Sequence, residues 1–262
     1  MFSLTFRLPL TLAIALTMGA SNVPARASDL ASTIKAVKPS VVGIGTRMRT
    51  RSPQIVFHAT GFVTGDGRSV LTNAHGVPEL DSERLEELGI VIARGDTVQF
   101  QPARLAGIDR LHDLAHLRLS GAALPALRLA PLASSIEEGQ ALAFTGFPLG
   151  MVLGLHPVTH RATLSAITPV VMPSLNSNKL NAHAIVQLNR APFQVYQLDA
   201  TAYPGNSGSP VYDPDSALVH GIMNMVYVKG LKETAITNPS GISYAIPTAF
   251  AHALLAQPDE YK

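Results

Sequence analysis

The sequence predicts an all-β domain, a barrel or a sandwich. Three observations predict it. About a dozen short runs rich in β-branched and aromatic residues recur along the chain, parted by Gly, Pro, Asn and Asp. Helical periodicity is confined to a few short stretches. No Gly/Ser-rich linker divides the 262 residues, so one large domain fits better than two joined by a tether.

The chain opens as an exported precursor. Arg7 is the only charge ahead of the apolar run Leu8 to Leu16, which is too short to span a bilayer, and Ala25-Arg26-Ala27 fits a small-x-small cleavage site. Residues 1–27 therefore read as a signal peptide, and 28–262 as the folded domain. Removing Arg7 and Arg26 leaves 18 basic residues against 18 acidic ones. A neutral balance gives no reason to expect nucleic acid or an anionic membrane as partner. Cysteine is absent, so a core and not disulfides must stabilise the exported chain; that suits a periplasm or a secreted protein.

Leu30, Ile34 and Val37 predict a short helix over 28–38, ended by Pro39. Val41 to Gly45 reads as a strand, and Arg47 to Pro53 as a solvated basic turn. Gly61 to Thr64 and Ser69 to Asn73 form a hairpin about an Asp-Gly turn and run into Ala74-His75. Pro78 to Gly89 predicts a helix, with Asp81 as cap, Leu85 and Leu88 on one face and Gly89 as stop. Strands follow over 89–93, 97–100 and 103–108, and Asp113 begins another of alternating character. His112 and His116 have the spacing of helical metal ligands, but on a strand they do not chelate together, so no metal is expected. Further strands are expected over 140–144, 158–167, 184–188, 193–198, 219–228 and 241–247, with long loops over 169–181 and 229–240. A terminal helix over 248–257 follows.

Tyr203-Pro204-Gly205-Asn206-Ser207-Gly208-Ser209-Pro210 is the stretch that carries chemistry. It is also what a turn between two strands looks like. A serine hydroxyl becomes a nucleophile only with a base to take its proton and donors to receive the oxyanion. His75 supplies a base and Asp113 an acid to orient it, while the N–H groups of Gly205 and Ser207 can form an oxyanion hole.

The segments around these residues resemble trypsin-like serine proteases of the HtrA/DegP kind. Gly61-Phe62-Val63 with Leu71-Thr72-Asn73-Ala74-His75 is similar to the family's histidine motif, Asp109 to Leu119 to its aspartate motif, and Gly205 to Pro210 to its serine motif. The resemblance covers nearly all of 30–256. It implies two six-stranded antiparallel β-barrels with the triad His75, Asp113, Ser207 between them, a short helix at each end, and serine endopeptidase activity through an acyl-enzyme. No cofactor is implied. The domain is expected alone, without the peptide-binding PDZ module that family members often carry. The serine is followed by Gly208-Ser209 where Gly-Gly is usual, a form also seen in glutamyl endopeptidases of this fold.

By the same resemblance, Thr201, Ala202 and Tyr203, with Ile222, Met223, Asn224 and Met225, line the pocket for the side chain before the scissile bond. None is acidic, which disfavours Lys and Arg there, and methionines suit medium apolar side chains. The expected partners are polypeptides, unfolded proteins included. The competing expectation is a catalytically silent trypsin-like fold that binds peptides as a chaperone does.

Overall fold

The computed structural model describes residues 30–94, 97–170, 192–224 and 241–259. Helix α1 (Leu30–Val37) leads through a 3-10 turn at Lys38–Ser40 into the first of two closed barrels. The first holds β1 (Val41–Arg47), β2 (Ile55–Thr64), β3 (Ser69–Thr72), β4 (Glu87–Arg94), β5 (Thr97–Asp109) and β6 (Leu114–Leu119), ordered β1-β2-β3-β6-β5-β4. The second holds β7 (Ala141–Gly146), β8 (Val158–Pro169), β9 (Gln194–Asp199), β10 (Pro210–Tyr212), β11 (Val219–Asn224) and β12 (Ile242–Pro247), ordered β10-β11-β12-β9-β8-β7. Helix α2 (Thr248–Leu255) follows. The expected pair of six-stranded antiparallel barrels with a short helix at each end is therefore present.

Each barrel closes around its own apolar cluster. Val42, Ile44, Val63, Val70, Ile90 and Leu117 fill the first; Leu142, Phe144, Leu164, Leu198, Val211 and Met223 fill the second. A third cluster, with Phe62, Leu71, Leu114, Phe147, Tyr212, Ile222 and Ile246, also takes in Val37 of α1 and Leu254 of α2. Burying such side chains stabilises by roughly 1.5–3 kcal/mol each, so this shared cluster helps hold the two barrels together.

The helix expected over 78–89 is corrected. That segment makes a turn at 82–85 and then enters β4. Asp81 does cap: its Oδ1 accepts the Arg84 N–H at 3.1 Å, but Leu85 turns into the left-handed region at φ 54° and stays 81% exposed. Leu88 and Gly89 pair instead with Thr46 and Gly45 of β1, and this pairing closes the barrel. Glu86 is drawn to Arg51 at 2.6 Å, so the basic loop is pinned rather than merely solvated. Other strand expectations differ too: β2 starts at Ile55, well before the expected hairpin, the runs expected over 97–100 and 103–108 are one strand, β5, and the three-residue β10 follows the serine turn directly. The strand expected over 184–188, most of the loop over 169–181 and the loop over 229–240 lie outside the described residues.

Candidate active site

His75 sits in a 3-10 turn, Ala74–Gly76, that begins as β3 ends. The aspartate loop fixes this turn. The Asp113 carbonyl accepts the Ala74 N–H at 3.1 Å and the Asn73 Nδ2–H at 3.0 Å. Its carboxylate accepts the His75 N–H through Oδ1 at 2.9 Å and faces His75 Nδ1 through Oδ2 at 2.6 Å. A carboxylate only accepts, so Nδ1 carries the proton in this pair and Nε2 is left on the far side of the ring. The two side chains are 31% and 17% exposed, open enough for a substrate to meet the imidazole.

Asp113 itself lies at φ 53°, a conformation that Asp tolerates better than most residues. The strain is offset by the hydrogen bonds just described and by one more from the other barrel. Asn224, at the end of β11, donates from Nδ2 to Asp113 Oδ2 at 2.9 Å. The residue pair is 111 positions apart in sequence, so this contact exists only once both barrels are in place.

Ser207 rides on a turn that is wedged against the first barrel. The Thr60 N–H donates to the Ser207 carbonyl at 2.9 Å, and Thr60 Oγ1 donates to the Gly205 carbonyl at 2.6 Å. The Gly208 N–H donates to the Met223 carbonyl at 2.9 Å. Gly208 lies at φ +86°, and a Cβ there would stand 2.0 Å from the Thr60 carbonyl and 2.6 Å from Thr72 Oγ1. Only glycine can bring the serine this close to β2 and β3, and Thr72 is three residues from His75.

One of the two expected oxyanion donors, the Gly205 N–H, is oriented by a neighbouring peptide plane. The Pro204 carbonyl accepts the Leu149 N–H at 2.6 Å. In a trans peptide the next N–H points the opposite way, so that of Gly205 faces away from Leu149. Gly205 is at φ +100°, and a Cβ there would meet the Phe147 carbonyl at 2.3 Å. Among the described residues, neither the Gly205 nor the Ser207 N–H has an acceptor. Two unspent N–H groups flanking a serine are what an oxyanion requires. No hydrogen bond joins Ser207 Oγ to His75 among the described residues.

The expected pocket residues separate. Thr201 and Tyr203 are half-buried beside the serine turn. Ala202 and Met223 lie in the core of the second barrel, Met223 with no exposed surface. The Asn224 amide is committed to Asp113, Ile222 belongs to the shared cluster, and Met225 lies outside the described residues. His112 and His116 have separate partners, Asp109 and Ser69.

Two residues near the site escaped sequence reasoning. Thr60 stitches the barrels together, yet a lone threonine before Gly61 gives no signal. His160 of β8 pairs in register with Phe144 and stacks on its ring at 4.8 Å, so it faces inward where Ala162 and Leu164 do. Its Nε2 is buried without a hydrogen-bond partner among the described residues, and its ring is 6.4 Å from that of Tyr203. Burial holds its pKa below the ordinary imidazole value. A polar residue breaking an apolar alternation is the signal that could have found it.

Residues 59–222 match the family model described as the trypsin-like peptidase domain. The chain is 28% identical over 188 residues to a protein of Pseudomonas fluorescens named "Probable periplasmic serine endoprotease DegP-like", covering 72% of this chain and 32% of that one. It is 24% identical over 237 residues to human "Serine protease HTRA4", covering 89% of this chain and 42% of that one. The chain thus spans a third to two fifths of the curated relatives' length. Among solved structures, the serine endoprotease from Yersinia pestis superposes with a TM-score of 0.60 at 20% identity, over 87% of this chain and 66% of that one. The HtrA-type protease AlgW with a decapeptide gives 0.60 at 22%, over 85% and 65%. At such identities the superpositions speak for the fold.

Proposed function

We propose that this chain, which belongs to the trypsin-like peptidase domain family, is a serine endopeptidase of the HtrA/DegP kind acting on exported polypeptides. Ser207 Oγ attacks the scissile carbonyl while His75 Nε2 takes its proton. The Gly205 and Ser207 N–H groups receive the oxyanion. Collapse of the tetrahedral intermediate expels the amine, which takes the proton from His75 and leaves an acyl-enzyme; water, activated by the same imidazole, then releases the acid. Asp113 holds the Nδ1–H tautomer and stabilises the imidazolium in each half.

The observation that carries this reading is the carboxylate of Asp113. It accepts the His75 Nδ1–H at 2.6 Å, and contacts from both barrels hold it there. Such a grip selects the tautomer that leaves Nε2 free as a base. None of the residues expected to line the specificity pocket is acidic, so the preferred residue before the scissile bond is medium-sized and apolar rather than Lys or Arg. The relatives' printed names and the signal-like residues 1–27 support a periplasmic or secreted location.

A fluorophosphonate probe tests the activity directly. Wild type should label at Ser207 within minutes and the Ser207→Ala, His75→Ala and Asp113→Ala variants should not, with turnover of an unfolded protein falling ~10⁴-fold. One observation favours the competing reading, a silent peptide-binding fold: Ser207 Oγ is not hydrogen-bonded to His75. Such contacts often tighten only when substrate arrives. If the wild type neither labels nor cleaves, yet binds unfolded polypeptide, the silent fold is the correct reading.

A further inference from the structure

The residue before the aspartate is held from three sides. Asp109, at the end of β5, accepts the N–H groups of Leu111 and His112 through Oδ1, both at 3.0 Å, and meets His112 Nδ1 through Oδ2 at 2.6 Å. The His112 ring lies flat on Phe250 of α2, with centroids 3.8 Å apart and planes 17° apart. Phe193, just before β9, presents its edge to the same ring at 4.6 Å and 71°. The two phenylalanines also touch, at 5.3 Å and 73°. A single imidazole thus ties the loop of 109–113 to the second barrel and to the C-terminal helix.

From this clamp we infer that His112 is a positioning residue for Asp113, acting through its ring stack; the inference rests on the peptidase reading above. The next residue in the chain is Asp113, whose left-handed backbone persists only because its surroundings over-determine it. Its carbonyl and its carboxylate both serve the histidine turn, so a tilt of the loop moves the acceptors of Ala74, His75 N–H and His75 Nδ1 together. Aromatic pairs of this geometry resist such a tilt without using the catalytic carboxylate. The imidazole also suits the site because it stacks and pairs with Asp109 at once, which Phe or Asn can each do only in part.

The test compares full-length wild type with His112→Ala, His112→Phe and Phe250→Leu. His112→Ala should lower kcat about tenfold with KM within twofold, because a small displacement of a catalytic group costs rate and not binding. His112→Phe, which restores the stack, should recover most of that loss. Phe250→Leu removes one face of the clamp from outside the loop and should mimic His112→Ala; it carries the test if His112→Ala fails to fold. Amide hydrogen exchange at Ala74 and His75, whose N–H groups donate to Asp113, should quicken about tenfold in His112→Ala and stay slow in His112→Phe. Unchanged kcat and unchanged exchange in His112→Ala would overturn the inference, and so would a His112→Phe variant as impaired as His112→Ala. If wild type itself does not react with fluorophosphonate, the peptidase reading falls, while the exchange measurement still decides whether His112 positions the aspartate.

Discussion

Gly208→Ala should abolish most activity for a reason that can be worked from distances. The new Cβ would stand 2.0 Å from the Thr60 carbonyl oxygen, whereas real Cβ contacts essentially never fall below 3.0 Å. The turn must therefore move by about 1 Å, and the obstacle is backbone of β2, not a side chain that can swing aside. Misplacing a reacting group by about that much costs roughly 100-fold in rate. Alanine at φ +86° adds ~1–2 kcal/mol of backbone strain. Gly139→Ala separates the two effects: its φ is +91°, but nothing among the described residues lies within 4 Å of the added Cβ. That control should lose about 1 kcal/mol of stability and keep its turnover. The assay is kcat/KM on a peptide, with thermal unfolding alongside. If Gly208→Ala retains activity within threefold of the Gly139→Ala control, the close seat of the serine turn on β2 is not what positions Ser207.

Three other outcomes are expected. Asn224→Ala removes a hydrogen bond to a carboxylate, worth ~1.5–3 kcal/mol, so kcat should fall about 10- to 100-fold; a change under threefold would mean that His75 and the loop hold Asp113 unaided. Burial holds the imidazoles of His58, His116, His160 and His220 below their ordinary 6.5 in the folded chain. The unfolded chain therefore takes up these protons first as pH falls, so the contribution of these groups to stability is complete above 6.5 and drains below it; Tm should drop from pH 7 to pH 5, and a Tm that holds or rises would refute this. Cleavage of a denatured-protein library should follow Val, Ala and Leu, and a majority of cuts after Lys, Arg or Glu would sink the apolar pocket.

What the sequence made legible was whatever is written in local alternation or residue type. Strand runs such as Val41 to Gly45 and the hairpin at 61–73 needed no partner to be seen, because the β period shows in the residues themselves. Segment 78–89 misled because helix signals are local, while the pairing of Leu88 and Gly89 with β1 is not. Asn224 sits between two methionines and reads as pocket lining; only the docking of the barrels aims its amide at Asp113. Strand β10 was hidden by its length, three residues opened by a proline. At the candidate site, the residue types of the proposed triad were visible. Thr60, Asn224 and His112, which hold it in place, were not, since each acts through a contact distant in sequence or on a neighbouring ring.

Division of the site between the barrels has a consequence for when the molecule becomes dangerous. The imidazole and its carboxylate belong to the first barrel; the serine and the asparagine that grips the carboxylate belong to the second. Every strand of the first barrel precedes the serine in the chain, so the base is made before the nucleophile. A half-built molecule holds a base with nothing to activate. On the proposed reading, hydrolysis waits until the second barrel has closed and Thr60 has bonded to the serine turn. Closing the second barrel is therefore, on that reading, the step that completes the site.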